Sequence, residues 1–111
     1  MRSGEIWLVN FWPSVGDEIA KTRPAVIVDN DEMGSLGLRI VVPFTDAKQH
    51  AKEWHVKVKP SVSNKLRKEN VADCLQIKSV SSDRLVKKVG VLSANDIDEV
   101  RICLAKVLDL I

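Results

Sequence analysis

The sequence predicts a mainly β domain ending in one helix, a small curled β-barrel with the helix packed on it. Three observations carry this. Short apolar runs separated by Gly-, Pro- and Asp/Asn-containing connections recur from the N-terminus to Gly90. One of them, WHVKVK (54–59), alternates cleanly with period two, as a half-buried strand does. After Ser93 the period changes: Ile97, Val100, Leu104, Val107, Leu108 and Ile111 fall on one helical stripe.

The elements follow in order. GEIWLVNF (4–11) is a strand with both faces partly covered, and WPSVGDEIAKTRP is a long connection marked by Pro13, Gly16 and Pro24. Loops of that length without structure of their own are often functional. PAVIVDND is the second strand, ending in a turn whose Asp29, Asp31 and Glu32 read as a solvated hairpin. LRIVVPF is the third, with Pro43 suggesting an edge or a bulge. The fourth places Trp54, Val56 and Val58 on one face and His55, Lys57 and Lys59 on the other. PSVSNKLRKEN is a polar connection, VADCLQIKSV a fifth strand, and SSDRLVKKVG a helical turn with a brief strand before Gly90. Ser93 is a good N-cap for the helix, with Asp96 three residues on.

The 111 residues suffice for a single domain, 1–111, with a core that needs no metal or disulfide. At 45% hydrophobic and 29% charged residues, the composition is that of an ordinary globular protein. No apolar run approaches the ~20 residues of a membrane span, and no secretory signal is present, so a cytoplasmic location without membrane contact is expected. Cys74 and Cys103 read as buried thiols, and neither they nor His50 and His55 have metal-ligand spacing; no metal and no cofactor are expected. The net charge is +2, but residues 48–69 carry seven basic and two acidic side chains, which suits a local anionic partner.

No nucleophile–base constellation and no phosphate-cradling glycine motif is present. Two strand ends nevertheless pair: Arg23 opens the second strand and Thr45 closes the third. In antiparallel neighbours they converge on one rim. An arginine and a hydroxyl there fit a phosphodiester, the guanidinium bidentately. A rim cation beside a capping threonine satisfies the same pattern.

GEIWLVNFWPSVGDEIAKTRPAVIVDND, then IVVPFT, then LQIKSV and DRLVKKVG together resemble the MazF/PemK family of toxin endoribonucleases, nearly end to end. The resemblance implies an SH3-like barrel of the CcdB/PemK type, a homodimer, and metal-independent cleavage of single-stranded RNA (mRNA) at a short sequence. Attack by the ribose 2′-hydroxyl then leaves a 2′,3′-cyclic phosphate and a 5′-hydroxyl. It puts the catalytic arginine on Arg23 and the catalytic threonine on Thr45, with Glu18 the candidate for the 2′-proton and Gln76 on the family's strand glutamine. It also implies a cognate antitoxin whose acidic C-terminal segment enters the same groove.

RNA-binding candidates are Asp17, Gln76, Lys48, Lys52 and His50, with Trp12 as an exposed stacking platform. The loop departs from the family's usual GSEQ or GHEQ: Asp17 adds a negative charge near the substrate and Ile19 replaces a glutamine. An inactive homologue is one alternative reading. A CcdB-like toxin that binds gyrase is another, but its activity resides in a Trp-Gly-Ile-like end, whereas this chain ends Leu108-Asp109-Leu110-Ile111.

Overall fold

The computed structural model describes residues 1–33, 37–47 and 51–111. Seven strands and one helix follow in order: β1 (Glu5–Asn10), β2 (Thr22–Ile27), β3 (Leu38–Asp46), β4 (His55–Val58), β5 (Asn70–Asp73), β6 (Lys78–Ser81), β7 (Leu85–Val91) and α1 (Ala94–Val107). All recorded pairings are antiparallel, in the order β4-β5-β3-β2-β1-β7, with β6 also on β3. The two ends of that path, β4 and β7, have no recorded pairing among the described residues, so the expected barrel is a strongly bent, open sheet.

β3 organises the bend. Its first half pairs with β6 (Leu38↔Ser81 to Val41↔Lys78) and its second with β5 (Phe44↔Ala72 to Asp46↔Asn70), while β2 holds its middle. Pro43, expected at an edge or a bulge, lies in a central strand. It falls in the interval where β3 changes partner on one side, and there a residue without an N–H costs least.

The expected fifth strand is likewise divided. Asp73 accepts from the Leu75 amide and caps a single 3-10 turn, Cys74–Gln76, between β5 and β6. Gln76 therefore sits on a turn and not on a strand. The expected brief strand before Gly90 is longer, running through it to Val91, and its register with β1 slips between Ile6 and Trp7 and again between Leu8 and Val9. Such bulges increase the local twist.

Alternation on the strands divides the apolar residues between two clusters. Val9, Phe11, Ala25, Ile27, Val41, Val80 and Leu85 fill one. Ile6, Val26, Val42, Phe44, Val56 and Val58 join Ile97, Val100, Cys103 and Leu104 of α1 in the other. Ser93 Oγ accepts from the Asp96 amide at 3.1 Å, so the helix starts as expected. Its apolar stripe stops early: α1 ends at Val107, Asp109 turns into the left-handed region at φ 58°, and Leu108 and Ile111 are exposed. Cys74 and Cys103 are free and buried; burial, then its hydrogen bond to Cys103, holds the Cys74 thiol well above its ordinary pKa.

The Asp29–Asp31 turn is solvated only in part: Asp31 and Glu32 are exposed as expected, but Asp29 is drawn to a buried arginine. Arg39 points inward from β3; its Nε meets Asp29 Oδ2 at 2.9 Å, Nη2 meets Asp31 Oδ1 at 2.9 Å, and Nη1 donates to the Met1 carbonyl.

Glu5 is a second buried charge. Its Oε1 accepts from Trp7 Nε1 at 3.0 Å and from the Arg2 amide at 2.9 Å, and its Oε2 lies 3.0 Å from Lys88 Nζ. Burial alone raises this carboxyl, but the Trp7, Arg2 and Lys88 hydrogen bonds outweigh it and bring it from 4.5 to about 2. A carboxyl lowered on folding stabilises the native state above its unfolded pKa and loses that contribution as pH falls through the folded value. Urea titrations between pH 6 and pH 2 are therefore expected to lose up to about 3 kcal/mol to this group. The Glu5→Gln variant, with less stability at pH 6, is expected to show a flatter decline. An equally steep decline in the variant would assign the loss to other carboxylates.

Candidate functional site

β2 pairs with β1 from Asn10↔Thr22 to Ile6↔Val26, and with β3 from Ala25↔Pro43 to Ile27↔Val41. Continuing the second register outward by two residues sets Arg23 opposite Thr45. By alternation the two lie on the same face. Both line a groove of about 830 Å³ at these strand ends. Arg23 is half-buried, and its Nε donates to the Ala20 carbonyl at 3.1 Å. That bond fixes the guanidinium against its own loop and leaves the Nη1/Nη2 edge as the fork for an anion.

The walls of the groove are cationic. Lys87 and Lys88 come from β7, Lys21 from the end of the β1–β2 loop, and Lys65, Arg67 and Lys68 from the β4–β5 connection. Asp46, paired with Lys68 at 2.5 Å, is the one acid among the described lining residues. Leu8, Pro24, Phe44 and Leu66 supply the apolar part. Lys68 is paired with Asp46 and Lys88 with Glu5, and the remaining five of the seven lining cations leave a concave site that attracts a polyanion and raises its local concentration.

The other candidates lie outside that lining. Gln76 holds the β1–β2 loop: its Oε1 accepts from the Ile19 amide at 2.9 Å and its Nε2 donates to the Asp17 carbonyl at 2.8 Å. Asp17 and Glu18 are exposed on that loop, and Glu18 Oε1 accepts from the Val15 amide at 2.8 Å. Trp12 is 67% exposed, its carbonyl bound by Arg84 Nη1. Lys52 is exposed on the β3–β4 connection, where its amide donates to His55 Nδ1 at 3.1 Å. Lys48 and His50 lie outside the described residues. Among those described, no three His, Cys, Asp or Glu side chains converge as metal ligands, and no helix is long and apolar enough to cross a membrane.

The sequence reading missed Lys21, Lys87 and Lys88 as groove residues. The KK dipeptide was visible, but its place beside Arg23 depends on β7 pairing with β1, across nearly eighty residues of chain.

The fold and groove define a small antiparallel β protein that presents an arginine, a threonine and a cationic channel at one sheet end. A family model described as PemK-like, MazF-like toxin of type II toxin–antitoxin system matches residues 2–108. Endoribonuclease MazF9 of Mycobacterium tuberculosis is 32% identical over 116 residues, covering 99% of this chain and 98% of that protein. Endoribonuclease MazF of Staphylococcus saprophyticus is 32% identical over 102 residues, covering 90% of this chain and 84% of that one. Among solved structures, MazF from Deinococcus radiodurans superposes with a TM-score of 0.82 at 22% identity, covering 98% of this chain and 96% of that one. A mycobacterial endoribonuclease in complex with its cognate antitoxin gives 0.81 at 17% identity, covering 100% of this chain and 97% of that one. The chain belongs to the PemK-like, MazF-like toxin family.

Proposed function

We propose that the protein is a toxin endoribonuclease that cuts single-stranded RNA at a short specific sequence without a metal ion. The observation that carries this reading is the convergence of Arg23 and Thr45 in one cationic groove, within a chain related across its length to proteins named endoribonucleases. In the proposed reaction the ribose O2′ attacks the adjacent phosphorus and the P–O5′ bond breaks. The products are a 2′,3′-cyclic phosphate and a 5′-hydroxyl; the 2′-proton leaves the nucleophile and a proton is delivered to O5′.

Arg23 stabilises charge that grows on the non-bridging oxygens, and Thr45 orients the phosphate by one hydrogen bond. An arginine side chain offers donors and no acceptor, so the base is another group. To accept the 2′-proton, Glu18 would exchange its bond to the Val15 amide for one to the ribose hydroxyl. The lysines hold the strand by its phosphates. Asp17, Gln76, Trp12 and Lys52 belong to the surrounding surface that selects the bases, and RNA contacts are proposed for Lys48 and His50 as well.

The protein acts in the cytoplasm as a homodimer and is held inactive by an antitoxin whose acidic C-terminal segment occupies the groove in place of RNA. A cationic channel favours such a segment. The test is incubation with long mixed-sequence single-stranded RNA in EDTA, with the new ends mapped. Cuts at a short recurring sequence, bearing cyclic-phosphate and 5′-hydroxyl ends, are expected. RNA left intact would overturn the assignment and direct the search to a non-cleaving target such as gyrase.

A further inference from the structure

The β4–β5 connection reads in sequence only as a polar connection. The structure builds it instead. Asn64 is 1% exposed, and both ends of its amide are bound: Oδ1 accepts from the Ser61 and Leu66 amides, both at 2.9 Å, and Nδ2 donates to the Lys59 carbonyl at 2.8 Å. Its own amide donates to Ser61 Oγ at 3.1 Å. β7 passes directly against this knot. A Cβ at Gly90 would stand 2.5 Å from the Asn64 carbonyl oxygen and 2.6 Å from that of Ser63, whose carbonyl accepts from the Val91 amide at 2.9 Å. Only glycine permits that approach.

What the knot supports is the cationic wall of the groove. Lys65, next in sequence, adopts a left-handed φ of 55°, a conformation a lysine keeps only where its surroundings hold it. Leu66 is anchored in the larger core, and Lys65, Arg67 and Lys68 line the groove. The far end is tied to β3 beside Thr45, through Asp46↔Asn70 pairing and the Lys68–Asp46 ion pair. A solvated lysine needs no such scaffold. Cations already in position lose less entropy when they take up phosphates.

We propose that Asn64 and Gly90 are positioning residues: together they seat the shelf Lys65–Lys68 and so set how firmly a polyanion is held past Arg23 and Thr45. This rests on the groove being the RNA site. The test is binding of a mixed-sequence 2′-O-methyl RNA, which lacks the attacking hydroxyl, across a salt series. Wild type is compared with Gly90→Ala, with the triple variant Lys65→Ala/Arg67→Ala/Lys68→Ala, and with their combination.

Each phosphate contact of a single strand contributes about 0.7 to the salt slope, so the triple variant is expected to lose up to about 2. Gly90→Ala is expected to lose at least about 0.7, one contact's worth, while remaining folded, and to lose nothing more when added to the triple variant. Weaker binding at the wild-type slope would mean only a smaller folded fraction and would overturn the seat, as would unchanged binding. Should Gly90→Ala not fold, Ser61→Ala, which removes only the exposed hydroxyl that accepts from Asn64, is expected to lower the slope by a smaller step, and a wild-type slope there overturns the seat. Wild-type protein that fails to bind removes the RNA reading itself, an outcome distinct from all of these.

Discussion

Arg23→Ala is expected to cut RNA on the order of 100- to 1000-fold more slowly than the wild-type chain, the usual loss when one electrostatic donor to a developing oxyanion is removed. The loss is expected mainly in kcat. Six other cations line the groove and still hold the strand, so ground-state binding depends on Arg23 far less than the transition state does. Arg23→Lys is expected to recover only part of the rate: an ammonium supplies charge but not the planar fork, nor the Nε bond to Ala20 that fixes the group.

Single-turnover rates on a short cleavable RNA, with binding measured separately on its 2′-O-methyl form, separate the two effects. A variant that keeps the wild-type rate but binds weakly would make Arg23 a phosphate-holding residue only. Stability should change little, because Arg23 sits at the half-buried start of β2 and not in either core cluster.

The pairing of Arg23 with Thr45 was legible because it needs only two strand ends and an antiparallel neighbour. The helix start was legible for a similar reason, since Ser93 and the amide it caps are three residues apart. Longer-range arrangements were not. A carboxylate-rich turn reads the same whether it faces water or a buried guanidinium, and nothing local to Asp29 announces Arg39, ten positions on. Gly90 reads only as the end of a brief strand, and the backbone that it must not touch lies more than twenty-five residues earlier. The fifth strand broke because Asp73 offered its side chain to the Leu75 amide, a local competition that the apolar run around it hides.

Arg39→Met is expected to destabilise the fold by about 3–5 kcal/mol, the cost of leaving a buried carboxylate without its partner. The pair is lopsided. Arg39 and Asp29 have side chains 6% and 10% exposed, and Asp29 Oδ1 also accepts from the Ile40 amide. Asp31, half-exposed, is lowered first by the Ser3 amide and then by Arg39. Asp31→Asn is accordingly expected to cost far less than Arg39→Met. Removing the guanidinium strands Asp29 and also releases the Met1 carbonyl, so the N-terminal segment loses its hold on β3.

In urea the expected signature is a lower midpoint at unchanged slope, and the double variant Arg39→Met/Asp29→Asn should regain part of the loss by removing the orphaned charge. A cost of Arg39→Met near that of Asp31→Asn would show that Asp29 reaches water when its partner goes. The lesion lies at the opposite end of β3 from Thr45. Cleavage per folded molecule should therefore survive Arg39→Met, whereas Arg23→Ala should slow cleavage and leave the fold, which separates what holds this protein together from what it does.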